Sequence, residues 1–563
     1  MAAAGSDSGG GFYFPFDPSL FSRSFGLVLV TVWLLFGVPV SAAGVAGEDA
    51  ASTAAVPTAG VLMDVDSRTV PWPTIRRLQL EAGEFPPPYR ALTRAELATW
   101  LPTLDNHLTN GTGSLTLRGL CHLADFGDVW QGEAGLAAPP GGSVGIESAL
   151  CLGHGRWWLA VTPRLFGSLF TGDTSPPSGF DFSNWPEASG RFMTQRARDR
   201  AESWEVDWPQ AVVGVQLGNW AVTVGQSASQ IGPGESGGLL LASSGAVIPA
   251  VTARRTRPFA WYGLARHVAP SHMLLRVGLL SSRDIVYRDI SFTHQRQDRP
   301  WLFQWLLTFP HTRWLRTTVT SSALALPRDG TLWPDLLQVN FPLLGATESE
   351  TDRGPLTDRF ISFQFEARYR NAPWPILPAA AGRLYWEYAG EDFLPDSRFG
   401  VLPQISAPAS VAGWELVSPG WDVVFEFAEL EHPNVLWYEH DTFTGGYTHR
   451  NWLVGHPLGG TGRSYSGWVC WRPAWLGCEA EWHLSHHRWG ARGYTPGNAE
   501  RITRALCLRQ PTAASRWELR VEWISEKYWP YWTSEGAEAS GTVYPQEEWV
   551  RVLGSCQLPA LDF

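Results

Sequence analysis

From about Gly113 onward, apolar and polar residues alternate along most of the chain. Phe363, Phe365, Ala367 and Tyr369 interleave with Gln364, Glu366, Arg368 and Arg370, and Leu384, Trp386 and Tyr388 with Arg383, Tyr385 and Glu387. Trp421, Val423, Phe425 and Phe427 alternate with Asp422, Val424 and Glu426, and Trp517, Leu519, Val521 and Trp523 with Glu518, Arg520 and Glu522. Trp301, Phe303, Trp305, Leu307 and Phe309 make another aromatic face. A period of two predicts strands with one apolar and one polar side. A soluble sandwich would fill its core mostly with aliphatic residues. Here the apolar side is rich in Trp, Tyr and Phe, especially near strand ends, where membrane barrels place aromatic girdles. The mixed Arg and Glu of the polar side suit the wet lumen of a large barrel. At roughly 25 residues per strand and connection, residues 113–563 predict an all-β fold, a transmembrane antiparallel β-barrel of about 18 strands. No internal repeat of ~40–50 residues supports a propeller. The chain ends on the aromatic Phe563, but Gln557, Pro559 and Asp562 break the alternation, which predicts a last strand ending near Leu553 with a short tail.

The N-terminal part reads differently. Arg23 precedes an apolar run from Phe25 to Val40, and the small residues of Val40–Ala43 follow, so residues 1–43 are expected to be a cleaved export signal. The small-residue stretch 44–63 reads as a tether. Residues 64–112 predict a short helical periplasmic region: Thr93-Arg94-Ala95-Glu96 has the form of a capping box, and helix formers continue to Leu101. No other apolar run reaches the ~18 residues of a spanning helix, which excludes a helical membrane protein.

Composition narrows the function. Of 563 residues only 17% are charged, below the ~25% usual for soluble proteins, while 31 are Trp. That balance excludes disorder. A net charge of -11 with no basic stripe argues against a nucleic-acid partner. Six cysteines without a C-x-x-C lack the zinc-ribbon and thioredoxin motifs. Cys470 and Cys478 could bridge neighbouring strands, or all six could be free thiols.

Two stretches go beyond pattern. One is Trp437-Tyr438-Glu439-His440-Asp441, followed by Gly445-Gly446-Tyr447-Thr448-His449-Arg450 and Gly455-His456-Pro457-Leu458-Gly459. The other is Gly225-Gln226, then Gly232-Pro233-Gly234, then Gly238 to Ala246. Together they resemble the capsule assembly Wzi family, although Ile231 stands where that family usually has Trp. The resemblance implies an outer-membrane barrel with a small periplasmic helical part. It implies a protein that binds capsular or extracellular polysaccharide, helps hold it to the cell surface, and needs no cofactor. Outer-membrane lipid and polysaccharide are then the expected partners, and a monomer the expected state.

The first stretch supplies the candidate ligand-binding residues: Tyr438, His440, Asp441, Tyr447, Arg450 and His456, with His449 among them. Sugar sites pair aromatic faces with groups that bond hydroxyls, and Arg holds a carboxylate through two parallel hydrogen bonds. The plainer reading is a polar network that stiffens the lumen. Gly234-Glu235-Ser236-Gly237-Gly238 matches G-x-S-x-G, but a nucleophile elbow needs a following helix and an oriented base, and a glycine-rich turn packed inside the barrel is the simpler account. His483, His486 and His487 could suggest zinc, yet on a strand His486 faces opposite to the other two. Glu429 with Glu431, or Glu547 with Glu548, could suggest glycoside hydrolysis, but solvated strand faces explain them. No catalytic or metal-binding residue is therefore assigned. A substrate-selective porin is the alternative function, and a secreted hydrolase the third.

Overall fold

A computed structural model of the chain describes residues 64–65, 72–82, 85–86, 89–90, 92–93, 113–124, 130–131, 137–138, 141–171, 204–243, 247–259, 261–280, 286–288, 293–295, 299–326, 356–370, 381–394, 404–431, 437–438, 447–449, 452–460, 462–473, 475, 477–489, 498–511, 516–529, 547–558 and 561–562. The expected export signal, the tether and the Ala95–Leu101 helix lie outside these residues.

Alternation becomes a closed barrel of 18 antiparallel strands, each paired with its sequence neighbours. They are β1 Gly113–Ala124, β2 Gly141–His154, β3 Trp157–Thr171, β4 Glu205–Leu217, β5 Trp220–Ser227 and β6 Ala250–Arg255. Then come β7 His272–Leu279, β8 Trp301–Pro310, β9 Leu315–Leu326, β10 Leu356–Tyr369, β11 Ala381–Leu394 and β12 Gln404–Ser418. The last third is β13 Trp421–Glu429, β14 Gly462–Trp471, β15 Glu479–Trp489, β16 Asn498–Pro511, β17 Arg516–Trp529 and β18 Glu547–Gln557. The expected stop near Leu553 is corrected: β18 runs on to Gln557, and Leu561–Asp562 resumes pairing with Leu115 and Ser114. Closing the seam requires partners for the whole of β1, which outweighs the broken alternation.

The faces are inside out relative to a soluble protein. On β11, Trp386 is 45% exposed, whereas the next residue, Glu387, is 0% exposed. Cross-strand aromatic pairs line the outer face, such as Phe365 with Trp386 (ring centroids 5.6 Å apart) and Trp414 with Phe425 (6.0 Å). Such pairs each add roughly 0.2–1 kcal/mol.

The two mouths differ. At one, strands join through tight turns; Gly155 (φ 59°) and Gly218 (φ 60°) supply the left-handed backbone that two-residue hairpins need. The long connections leave from the other. Outer-membrane barrels have short periplasmic turns and longer outer loops, and by that rule the tight-turn mouth is termed periplasmic and the other outer. Helix α1, Trp72–Ala82, packs there, with Leu80 against Ala381 and Val417. Two connections fold inward, β5–β6 and β13–β14. Leu239, Leu240, Leu241, Trp437, Tyr438 and Tyr447 form one apolar core with Leu302, Leu306, Phe360 and Val411 of the wall.

Candidate functional site

The inward segments are pinned to each other by backbone and phenol hydrogen bonds. Ile231 N–H donates to Leu241 O (3.0 Å), and Ala242 N–H to Val454 O (2.9 Å). The Tyr438 hydroxyl donates to Leu239 O (2.7 Å) and accepts from His456 N–H (3.0 Å). The Tyr447 hydroxyl donates to Leu240 O (2.7 Å) and lies 2.5 Å from Ser322 Oγ on the wall. Its phenol stays protonated, because burial pushes its pKa up. The Tyr438 and Tyr447 rings stack at 5.7 Å, and Phe360 packs on Tyr447 at 5.0 Å. Tyr438 itself has φ 71°, a left-handed conformation uncommon for an aromatic residue. Only glycine leaves room beside it, since a Cβ on Gly455 would run into the Tyr438 ring.

Glu426, pointing inward from β13, is the hub. Its carboxylate accepts from Glu235 N–H (2.5 Å), Ser236 N–H (3.0 Å), Tyr385 O–H (2.7 Å) and the Ser236 hydroxyl. His456 Nε2 lies 2.9 Å from Ser236 Oγ. The ring's other nitrogen, Nδ1, accepts from Leu458 N–H (3.2 Å), and burial pushes the imidazole pKa down to about 3. A neutral ring that accepts at Nδ1 carries its proton on Nε2 and donates it to Ser236 Oγ. A serine nucleophile needs the reverse arrangement, with Nε2 accepting and Nδ1–H held by a third group. The G-x-S-x-G stretch is thus a turn fastened to the wall, as its glycine content suggested.

A second set of charges crosses the periplasmic end. Arg316 donates to Glu366 (2.9 Å through Nε). Arg383 bridges Glu366 (2.8 Å) and Glu415 (2.8 Å) and donates to Pro233 O (3.0 Å). Arg76 of α1 then pairs with both Glu415 and Glu235. Burial would lower the Arg76 pKa, but Glu235 and Glu415 outweigh it and hold the guanidinium charged. Glu366, Arg383 and Glu415 are all 3% exposed or less, so this part of the polar face is a dry ion-pair ladder and not the expected wet lumen wall. It runs across adjacent strands because Arg383 faces Glu415, and Arg316 faces Glu366, in register.

Tyr438, Tyr447 and His456 therefore lie together, fully buried inside the barrel, and His449 is buried near them. His440, Asp441 and Arg450 lie outside the described residues. Sequence reasoning missed Glu426, Glu415, Arg76 and also Glu387, whose carboxylate accepts from Leu239 N–H (3.3 Å) and the Ser362 hydroxyl (2.8 Å). The signal was present for Glu426 and Glu387, acidic residues on the inward parity of predicted strands, but not for Glu415, whose strand the alternation did not single out.

The other candidates are placed as follows. His483 and His487 face inward and His486 outward, the opposition expected of a strand, and His486 bonds Glu500 at 2.5 Å. Among the described residues no three His, Cys, Asp or Glu side chains converge as metal ligands. Glu429 and Glu431 both pair with Arg463, at 2.7 Å and 3.2 Å. All six cysteines are free thiols, so Cys470 and Cys478 form no bridge.

The capsule assembly protein Wzi family model matches residues 177–491, more than half of the chain. The chain belongs to the Wzi family. Its barrel is similar to a solved Escherichia coli structure, described as Wzi, an outer-membrane carbohydrate-binding β-barrel involved in group 1 capsule assembly. The two are 13% identical, with a TM-score of 0.59, over 88% of this chain and 99% of that one. Acinetobacter baumannii OccAB2 is a more distant likeness, 12% identical with a TM-score of 0.43 over 80% and 98% of the two chains. No curated protein matches at the sequence level. The Wzi match spans both inward segments and Glu426, while α1, β1–β3 and β16–β18 close the barrel outside it. Membership fits an outer-membrane location. Among the described residues no helix is long and apolar enough to cross a membrane.

Proposed function

We propose that this Wzi-family barrel binds capsular or extracellular polysaccharide and helps attach it to the cell surface, without catalysing a reaction and as a monomer. The observation that carries this reading is the pinned interior. The described parts of two long connections and a helix occupy the lumen, where Arg76, Ser236, Tyr438, Tyr447 and His456 bond to each other's segments and to the wall. That arrangement favours a fixed platform over a substrate-selective pore. The protonated Nε2 of His456 argues against hydrolysis at Ser236. The likeness to a carbohydrate-binding barrel supports the ligand class.

Within the candidate site the roles divide. Tyr438, Tyr447 and His456 anchor the β13–β14 connection. His440, Asp441 and Arg450 stand between those anchors in sequence and are the residues proposed to meet sugar, with Arg450 taking a carboxylate if the polymer is acidic. Many weak contacts along a repeating chain then add by avidity. The test is retention of purified polysaccharide on outer membranes carrying the full chain. Alanine at His440, Asp441 and Arg450 together should abolish retention while the unboiled protein still migrates as a folded barrel. Unchanged retention would move the site elsewhere. A steady open conductance of the native protein in a planar bilayer would favour the pore.

A further inference from the structure

The connection from β6 to β7 and its neighbour from β8 to β9 form an unusual foot at the periplasmic mouth. Most turns at this mouth are tight, but residues 256–271 build a folded projection with a single helical turn at Ala265–Val268. Phe259 N–H donates to Ser271 O (2.9 Å), and Trp261 Nε1–H to Pro270 O (2.8 Å). The two turns are clamped by a reciprocal pair: His267 Nδ1–H donates to His311 O (2.6 Å), and His311 Nδ1–H to His267 O (2.9 Å). The foot is thus held in one shape.

Its surface combines two features. Tyr262 is 86% exposed, Leu264 84%, Val268 70%, Trp314 57% and Trp261 42%, an apolar concentration that a water-facing turn would avoid. Its charge is one-sided as well. Residues 253–271 contain Arg254, Arg255, Arg257 and Arg266, and residues 310–317 contain Arg313 and Arg316, with no Asp or Glu in either stretch of a chain whose net charge is -11. Arg254 and Arg316 are buried, whereas Arg257 and Arg313 are exposed, and the Arg255 guanidinium lies 3.6 Å over the Phe259 ring. The foot also continues the lipid-facing wall. Met273 and Phe309, on the outward parity of β7 and β8, are the last outward residues before it.

We propose that this foot binds the anionic phospholipid headgroups of the inner leaflet. Arg255, Arg257 and Arg313 meet the phosphates, while Trp261, Tyr262, Leu264 and Val268 enter the boundary with the acyl chains. Basic residues near an anionic surface and aromatic residues at the headgroup level are the combination that interfacial segments use. An acidic protein partner would also match the charge, but it would not require an apolar face continuous with the lipid-facing wall. The foot is remote in chain from the proposed sugar contacts and shares no residue with them, so either reading can fail without the other.

The test uses the full-length barrel in dodecyl maltoside micelles doped with either phosphatidylglycerol or phosphatidylcholine, with retained lipid counted by native mass spectrometry. The wild type should retain phosphatidylglycerol about tenfold or more over phosphatidylcholine, given the attraction of three arginines to an anionic surface. R257Q/R313Q should cut that preference severalfold, and adding R255Q should bring it near parity. Y262S/L264S should lower retention of both lipids alike. Migration of the unboiled protein confirms that each variant is folded, and R257Q/R313Q touches no core contact. Equal retention of the two lipids by the wild type overturns the proposal, as does an arginine variant that keeps the preference. So does a photo-crosslinker at position 262 that joins protein in place of lipid in intact cells.

Discussion

Replacing Glu426 by Gln tests whether the interior is a fixed plug. The change keeps shape and removes charge at the residue that fastens the glycine-rich turn. The carboxylate accepts from two backbone N–H groups, one on each oxygen, at 2.5 Å and 3.0 Å, and also from the Tyr385 and Ser236 hydroxyls. A Gln side chain offers one acceptor oxygen. Whichever way the amide is turned, its NH2 faces a backbone N–H of Glu235 or Ser236 and leaves that donor unpaired. A buried unpaired donor costs about 1–3 kcal/mol, and the bonds that survive lose their charge assistance, about 1 kcal/mol more. The turn is thereby destabilised by about 3 kcal/mol, which raises its undocked population roughly a hundredfold at ~1.4 kcal/mol per factor of ten. The β12–β13–β14 ladder has no part in this loss, so the barrel should still resist detergent until heated. Single-channel recording in a planar bilayer reads the undocked state as brief openings. Their frequency should rise about a hundredfold in Glu426→Gln while the unboiled gel shift persists. A variant as silent as wild type would refute the hub. Loss of the folded band would show that Glu426 holds the wall and not the plug.

Three further outcomes follow from the same geometry. Ser236→Ala should leave polysaccharide retention intact and should abolish no esterase or glycosidase activity, because Ser236 is an anchor; opening frequency should rise about tenfold from the lost hydrogen bonds. The interior should loosen on mild acidification. His456 titrates near 3 when buried and near 6.5 when exposed, so only the undocked form takes up a proton as pH falls through 6.5. Stability is then lost at up to about 1.4 kcal/mol per pH unit, and between pH 6.5 and 5.5 opening frequency should climb in the native protein but stay flat in His456→Gln. Gly455→Ala places a methyl against the Tyr438 ring, an overpacking worth about 1–3 kcal/mol, and should lower the temperature of the gel shift without changing strand content by circular dichroism.

How far the sequence could be read depends on where each residue's partner lies. The wall was legible because its rule is local: a strand residue faces out or in by parity alone, so Trp386 and Glu387 declare their sides from sequence. The strand count followed from that rule and the chain length. The interior was not legible, because its contacts join residues far apart in the chain. Nothing local in Arg76 announces Glu415, 339 positions away, and nothing in Gly234-Glu235-Ser236 announces Glu426. The cluster from Tyr438 to His456 was found by its density of aromatic and polar side chains, but density could not tell a ligand-facing surface from an anchor, and three of its members are anchors by burial. The end of the chain misled for a related reason. Broken alternation at Gln557 and Asp562 implied a tail, whereas the demand of β1 for a closing partner overrode it.

The pair between Arg76 and Glu235 joins elements moored at opposite mouths. Glu235 belongs to a connection that begins and ends at the outer rim, between β5 and β6, whereas α1 precedes β1 and enters from the periplasmic side. A pull on the outer loops therefore has a continuous load path, through the glycine-rich turn, the Arg76–Glu235 ion pair and the antiparallel pairing of Gln230–Ile231 with Tyr89–Arg90, to the segment that precedes β1. In mechanical terms the barrel wall is a sleeve and the interior a strut through it, spliced where the two moorings meet.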